Sequence, residues 1–228
     1  MNARERILAR LRAAPQSLAP LLAPDVAGFY AAERSAAVSE NRAQRIARFC
    51  RQMAGWHGEV VRVTRSNWAP TLCRLCVARK VGTLLYGRHT EYAKVLEGAG
   101  ITGLTPYERP VDEWKTVLFR DIDAGFTTTR GGIVETGTLI VWPSADEPRL
   151  LSLVPPIHFA LLDADALHDT LFEAMRAQRW ADVATPMPSN ALLISGPSKT
   201  SDIQVTVAYG AHGPKELIVL LLVGEAEL

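Results

Sequence analysis

Two near-continuous apolar runs constrain what this chain can fold into. They are Ile157-His-Phe-Ala-Leu-Leu162 and Leu217-Ile-Val-Leu-Leu-Leu-Val223. Each has the length of a strand and falls far short of the roughly 18 residues that a membrane-spanning helix needs. A strand that meets water on one face alternates apolar and polar residues. A strand that is apolar throughout is covered on both faces, and such strands belong to parallel sheets. Parallel neighbours need long crossovers, usually helices, so these runs predict an α/β protein.

The rest of the chain supplies the crossovers. Residues 3–13 read as a short helix with Ile7, Leu8 and Leu11 on one face. Pro15, Pro20 and Pro24 then mark a loop. Residues 31–54 read as a long amphipathic helix, with Ile46, Phe49 and Met53 on the apolar side and Arg42, Arg45, Arg48 and Arg51 facing water. Strands are expected at 59–63, 83–86, 117–119, 133–135, 138–142, 150–154 and 191–195, and helices at 67–80, 90–99, 165–178 and 202–209. The 138–142 and 150–154 strands are expected to pair as an antiparallel hairpin across Pro143–Arg149, and 191–195 to be buried. The predicted fold class is α/β, with a mixed, mainly parallel sheet flanked by helices. An N-terminal helical arm (1–30) is expected to precede a single α/β domain (31–228).

Charge excludes some functions. The 25 Lys and Arg nearly cancel the 24 Asp and Glu, for a net charge of +1. Nothing here drives bulk attraction to nucleic acid or to an anionic membrane. The Arg-rich N-terminus lacks the apolar stretch of a secretory signal. Three cysteines are too few for a secreted disulfide scaffold. A cytoplasmic location with reduced thiols is expected.

Three segments have the composition of a site. In Gly131-Gly-Ile-Val-Glu-Thr-Gly-Thr138, glycines let the backbone bend around a ligand. Glu135 could act there as base, nucleophile or hydrogen-bond acceptor, beside Thr136, Gly137 and Thr138. It could equally be a solvated Glu on a bend. Ser195-Gly-Pro-Ser-Lys-Thr-Ser-Asp202 follows an expected strand and opens an expected helix, capped by Ser201 and Gln204. A helix start of this kind attracts anions. Ser195, Gly196, Ser198, Lys199, Thr200 and Asp202 are its candidate ligand residues, unless the segment is only a capped helix start. In Tyr209-Gly-Ala-His-Gly-Pro214, His212 could exchange protons near neutral pH or be an ordinary turn residue. His158 reads as a core histidine with a backbone partner. Cys73-Arg-Leu-Cys76 has the spacing of a redox or metal pair. It lacks a second pair, however, and a structural cluster normally takes four ligands. Two partly buried thiols one helical turn apart are the simpler reading, and neither metal nor cofactor is expected.

These segments, in this order, resemble the lactate-utilisation protein C family, whose fold is the LUD domain. The resemblance rests on Gly132-Ile-Val-Glu-Thr-Gly-Thr-Leu139, Pro148-Arg-Leu-Leu-Ser-Leu-Val-Pro-Pro-Ile-His158, Ser195-Gly-Pro-Ser-Lys-Thr-Ser-Asp-Ile203 and Gly210-Ala-His-Gly-Pro214. It implies a fold like that of sugar-phosphate isomerases and CoA transferases. It further implies a part in oxidising L-lactate to pyruvate, beside iron–sulfur and Cys-rich partner proteins. With three cysteines, this chain would be a non-redox subunit that binds a small carboxylate or phosphate, with Glu135 or His212 handling a proton. Two alternatives stand beside that reading. Glu135-Thr-Gly137 resembles the nucleophile setting of CoA transferases, which implies a stand-alone acyl or CoA transferase. An assembly or regulatory factor is the other.

Overall fold

The computed structural model describes residues 3–13, 24–36, 40–180, 182, 190–200 and 208–228. Contacts divide the chain into two compact units, Met1–Glu40 and Asn41–Leu228. The first holds helices α1 (Ala3–Ala13) and α2 (Val26–Ala36).

In the second unit, six parallel strands form the main sheet. They are β1 (Glu59–Val63), β2 (Leu84–Tyr86), β3 (Leu104–Pro106), β4 (Ala124–Thr128), β7 (Ile157–Asp163) and β12 (Glu216–Leu222). Their spatial order is β1-β12-β7-β4-β2-β3. The two apolar runs became β7 and β12, paired side by side with Phe159 opposite Ile218 and Leu161 opposite Leu220. Alternate residues feed two separate cores. Phe159, Leu161, Ile218 and Leu220 pack with Trp68 and Leu72 on one face. Ala160, Leu162, Val219 and Leu221 pack with Ile46, Phe49 and Met53 on the other. Burying one such Leu or Ile stabilises the fold by about 1.5–3 kcal/mol, which accounts for the continuous apolar sequence of both strands.

Helices α3 (Arg42–Gly55), α4 (Trp68–Ala78), α5 (Ala93–Gly98) and α6 (Val111–Arg120) surround the sheet. The connections from β4 to β7 and from β7 to β12 together carry a second sheet, ordered β8-β5-β6-β9, made of β5 (Gly131–Ile133), β6 (Thr138–Val141), β8 (Leu167–His168) and β9 (Leu192–Ile194). Helix α7 (Leu150–Leu153) lies in the first of these connections and α8 (Leu171–Ala177) in the second, with a two-stranded ribbon of β10 (Lys199–Thr200) and β11 (Ala208–Tyr209). The chain is therefore a mixed α/β protein with a mainly parallel sheet flanked by helices. Among the described residues, no helix is long and apolar enough to cross a membrane.

Several expectations need correction. The predicted helix 31–54 is two helices. Asn41 caps α3 by accepting from the Gln44 amide and bonding back to the Gln44 side chain, and this capping box begins the helix afresh. Arg42 and Arg45 do not simply face water: Arg42 pairs with Asp165 and Glu227, and Arg45 with Asp169. Residues 117–119 are helical, because Val111, Trp114 and Leu118 make the inward stripe of α6 while Val117 and Phe119 point out. Residues 150–153 form α7, and β6 pairs instead with β5 and β9. The predicted helix 165–178 is interrupted by β8 and restarts at Thr170, whose hydroxyl accepts from the Glu173 amide. Leu167 is buried on that strand, Met175 is exposed, and Ala174 takes the inward position on α8. Strand β9 is only half-buried, with Leu193 exposed.

Candidate functional site

The first candidate segment builds a turn in the second sheet. After β5, the Val134 amide donates to the His168 carbonyl (2.8 Å) and the Glu135 amide to the Asp169 carbonyl (3.1 Å). The chain reverses at Gly137, whose φ of +61° favours glycine. This leaves Glu135 and Thr136 exposed and buries Thr138. Three hydroxyls then form a row: Thr136 Oγ1 lies 2.6 Å from Thr138 Oγ1, which lies 2.8 Å from Ser195 Oγ. The first and second candidate segments are thereby joined. Beside them opens a cleft of about 420 Å³ lined by Glu135, Thr136, Thr138 and Ser195 with Trp56, Ile133, Leu171 and Leu193. Its walls are apolar, and no Lys or Arg among the described residues lines it.

Gly196, the residue after Ser195, begins a second and more enclosed cavity of about 210 Å³. Ser152, His158, Ser198, His212, Gly213 and Leu217 are among the residues around it. The Ser198 amide donates to the Pro214 carbonyl (2.8 Å) and the Gly210 amide to the Ser198 carbonyl (2.9 Å), clamping the second and third segments together. At Gly196 a Cβ would fall 2.5 Å from the Trp56 carbonyl oxygen, so the close approach of this loop requires glycine. Both cavities lie toward the amino ends of the main strands, near the start of β7 (His158) and β12 (Leu217) and just ahead of β1 (Trp56).

The placement differs from the crevice beyond the carboxyl ends of the main strands, where ligands of open α/β sheets commonly sit. Glu135 does follow a strand end, but that of β5 in the second sheet. The carboxyl ends of β1, β7 and β12 form another cleft, of about 520 Å³. Both arginines that line it are already paired: Arg65 with Asp163 at 2.5 Å, Arg42 with Glu227 at 2.9 Å and with Asp165. Lys199 and Thr200 do not open a helix. They form β10, paired with β11, so 208–209 is strand and not the end of a helix. Lys199 is exposed and lines neither amino-end cavity. Asp202, Ser201 and Gln204 lie outside the described residues. His212 is exposed at the rim of the enclosed cavity.

A family model of the LUD domain matches residues 46–222. The chain belongs to the LUD domain family. An uncharacterized protein of Neisseria meningitidis serogroup B is 38% identical over 226 residues, covering 97% of this chain and 94% of that one. A protein named Lactate utilization protein C 1, from Bacillus mycoides, is 24% identical over 69% of this chain and 70% of its own length. Lactate utilization protein C of Deinococcus radiodurans is 38% identical over 44% of this chain and 46% of its own. The crystal structure of a DUF162 family protein from Deinococcus radiodurans has a TM-score of 0.61 and 22% identity, covering 81% of this chain and all of that one. The resemblance read from the four sequence segments is thus borne out at the level of the family, and the expected mixed, mainly parallel α/β class with it.

Two buried polar residues of this LUD domain were not among the site residues read from the sequence. His158 is fully buried, and its partner is a side chain rather than backbone: Nε2 lies 2.9 Å from Thr127 Oγ1. Burial pushes its imidazole down to about 3, so the ring is neutral at physiological pH. The signal was a lone polar residue inside an apolar strand, directly after Pro155-Pro156. Glu147 is also buried and accepts from the Thr128 amide (3.1 Å) and hydroxyl (2.6 Å), closing the carboxyl end of β4. Burial raises its carboxyl above the usual range, against the pull of the two Thr128 hydrogen bonds.

The CxxC lies on α4, with Cys73 half-buried and Cys76 buried; Cys50, Cys73 and Cys76 are all free. Burial, with Cys73 adjacent, pushes the Cys76 thiol up to about 12. The thiolate is the nucleophile and metal ligand, so Cys76 is poorly suited to either task. Iodoacetamide at neutral pH is expected to leave Cys76 unmodified in the folded protein and to alkylate it after unfolding, as read by peptide mass spectrometry. Rapid alkylation in the native state would contradict this assignment.

Proposed function

We propose that the protein is a component of an L-lactate-utilisation system, supporting oxidation of L-lactate to pyruvate as a non-redox subunit that binds a small anion. The observation that carries this reading is family membership over residues 46–222, together with similarity to a protein named Lactate utilization protein C 1 over 70% of its length. The site geometry supports it. Three of the four segments that carry the resemblance, those holding His158, Ser198 and His212, meet at one small enclosed cavity, and the fourth lines the adjoining cleft. Oxidation of lactate releases two electrons and two protons. Three cysteines are too few for a four-thiolate cluster, so the electrons would leave through iron–sulfur partner proteins. The role left for this chain is to hold the substrate or product, with His212 or Glu135 passing a proton.

The test is genetic and biochemical. Deletion of the gene is expected to abolish or severely slow growth on L-lactate as sole carbon source, with growth on glucose unaffected. The tagged native protein is expected to co-purify with iron–sulfur proteins. Normal growth of the deletion strain on L-lactate would overturn the reading.

A further inference from the structure

The enclosed cavity contains an unusual group. His158 is completely buried, lines the cavity, and among the described residues leaves its Nδ1 without a hydrogen-bond partner. Buried polar atoms are almost always paired, so an orphan of this kind calls for an explanation. The other ring nitrogen suggests one. Among the described residues, the Thr127 hydroxyl has Nε2 as its hydrogen-bond partner. Both groups are satisfied if Thr127 O–H donates to Nε2, an assignment made from the network. A neutral imidazole with Nε2 accepting carries its proton on Nδ1. The orphan is therefore an N–H donor on a residue that lines the cavity, and an oxygen acceptor would complete it.

The size and lining of the space narrow the acceptor. A cavity of about 210 Å³ is below the ~300–1,000 Å³ typical of pockets for drug-sized ligands. It holds about seven waters at ~30 Å³ each, so it suits a molecule of few heavy atoms. Leu153, Ile194 and Leu217 give it apolar walls that fit a short carbon chain. Ser198 and His212 lie on the loops that close it, where they can meet a carboxylate at the rim while an inner oxygen reaches His158.

We propose that this cavity binds a small 2-hydroxy or 2-oxo monocarboxylate, its 2-oxygen or carboxylate accepting the Nδ1–H of His158 and its charged end meeting Ser198 and His212. The ligand class rests on the lactate-utilisation reading above; the site itself rests on the orphaned donor. In this arrangement His158 is a binding residue in the substrate pocket, and Thr127 is a positioning residue that fixes the tautomer.

The test uses the full-length protein, ¹⁵N-labelled on histidine, titrated with pyruvate, L-lactate and propionate. Pyruvate and L-lactate are expected to shift the His158 Nδ1 resonance saturably, with propionate, lacking the 2-oxygen, binding more weakly. His158→Gln is expected to weaken pyruvate binding at least about tenfold, the loss typical of one buried hydrogen bond. Should His158→Gln fail to fold, Ser198→Ala and His212→Gln, both outside the core, decide the matter through the same loss. Thr127→Val is expected to move the His158 ¹⁵N shifts to a different tautomer pattern and to weaken binding without altering the cavity walls. No shift with either probe at tens of millimolar, or wild-type affinity in the folded variants, would overturn the proposal. Its failure is separable from that of the pathway reading. Normal growth of the deletion strain on lactate removes the pathway role but leaves a His158-dependent binding result intact.

Discussion

Acidification from pH 7 to pH 4 is expected to remove about 3 kcal/mol of folding stability through His158 alone. The imidazole of the unfolded chain titrates near 6.5, whereas in the folded chain burial holds it down to about 3. Between those values the unfolded state binds a proton that the native state refuses. Stability is therefore complete above pH 6.5 and falls as pH drops towards 3, by about 1.4 kcal/mol per pH unit. Against a total of about 5–15 kcal/mol for a typical domain, this is a large fraction. His168 acts in the same direction, its imidazole lowered mainly by burial and further by Arg45. Glu147 acts in the opposite direction. Its raised carboxyl makes the folded state the better proton binder, so its burden lightens as pH falls through that raised value. Urea unfolding between pH 7 and pH 4 measures the sum. In His158→Gln the slope of stability against pH should be markedly flatter, whatever its stability at pH 7. Parallel slopes for variant and wild type would show that His158 does not govern acid sensitivity.

The same residue shows where sequence reasoning reached its limit. A strand that is apolar throughout can be recognised without a structure, and the runs at 157–162 and 217–223 did become the adjacent interior strands β7 and β12. That logic treats a polar residue inside the run as a satisfied exception. Whether His158 is satisfied depends on what lies across the sheet at Thr127 and what the loops at 196 and 212 enclose, and neither is local in sequence. Short apolar stretches were ambiguous for a related reason. Val117-Leu-Phe119 suits a strand by composition, and only its spacing from Val111 and Trp114 reveals a helical stripe. The breaks at Asn41 and Thr170 were legible, since each begins a run with a Gln or Glu three residues on, the spacing of an N-terminal cap. For the candidate site, the structure brings the three segments read from the sequence together through the Thr138–Ser195 and Ser198–Pro214 hydrogen bonds. Lys199 was misplaced because an expected helix start put it at an anion cradle, whereas the chain there forms a β-ribbon.

Substitution of Gly137 by alanine should cost about 2–5 kcal/mol. Part of this is intrinsic. A φ of +61° costs a residue with a Cβ roughly 1–2 kcal/mol. The remainder is collision. The added Cβ would lie 2.5 Å from the Met53 backbone nitrogen and 2.7 Å from Gln52 Cβ. Met53 is completely buried on α3, so the helix backbone cannot yield without disturbing the core that faces β7 and β12. Overpacking of that kind typically costs about 1–3 kcal/mol. Gly55, two residues beyond Met53 on the same helix, provides the contrast. A methyl group added there would have nothing within 4 Å among the described residues, and the φ of Gly55 is not positive. Gly55→Ala should therefore be neutral or stabilising by up to about 1 kcal/mol. Urea denaturation of the two variants distinguishes a packing requirement from a general sensitivity of this region to added methyl groups. Equal, small effects at both positions would mean that the turn after Glu135 is not held against α3 as described. The predicted asymmetry also bears on Glu135-Thr-Gly137. Close approach to α3 suffices to require its glycine, so the glycine by itself is no evidence that Glu135 is a nucleophile. Any catalytic part for Glu135 has to be established at its own carboxylate, by the turnover or binding of Glu135→Gln.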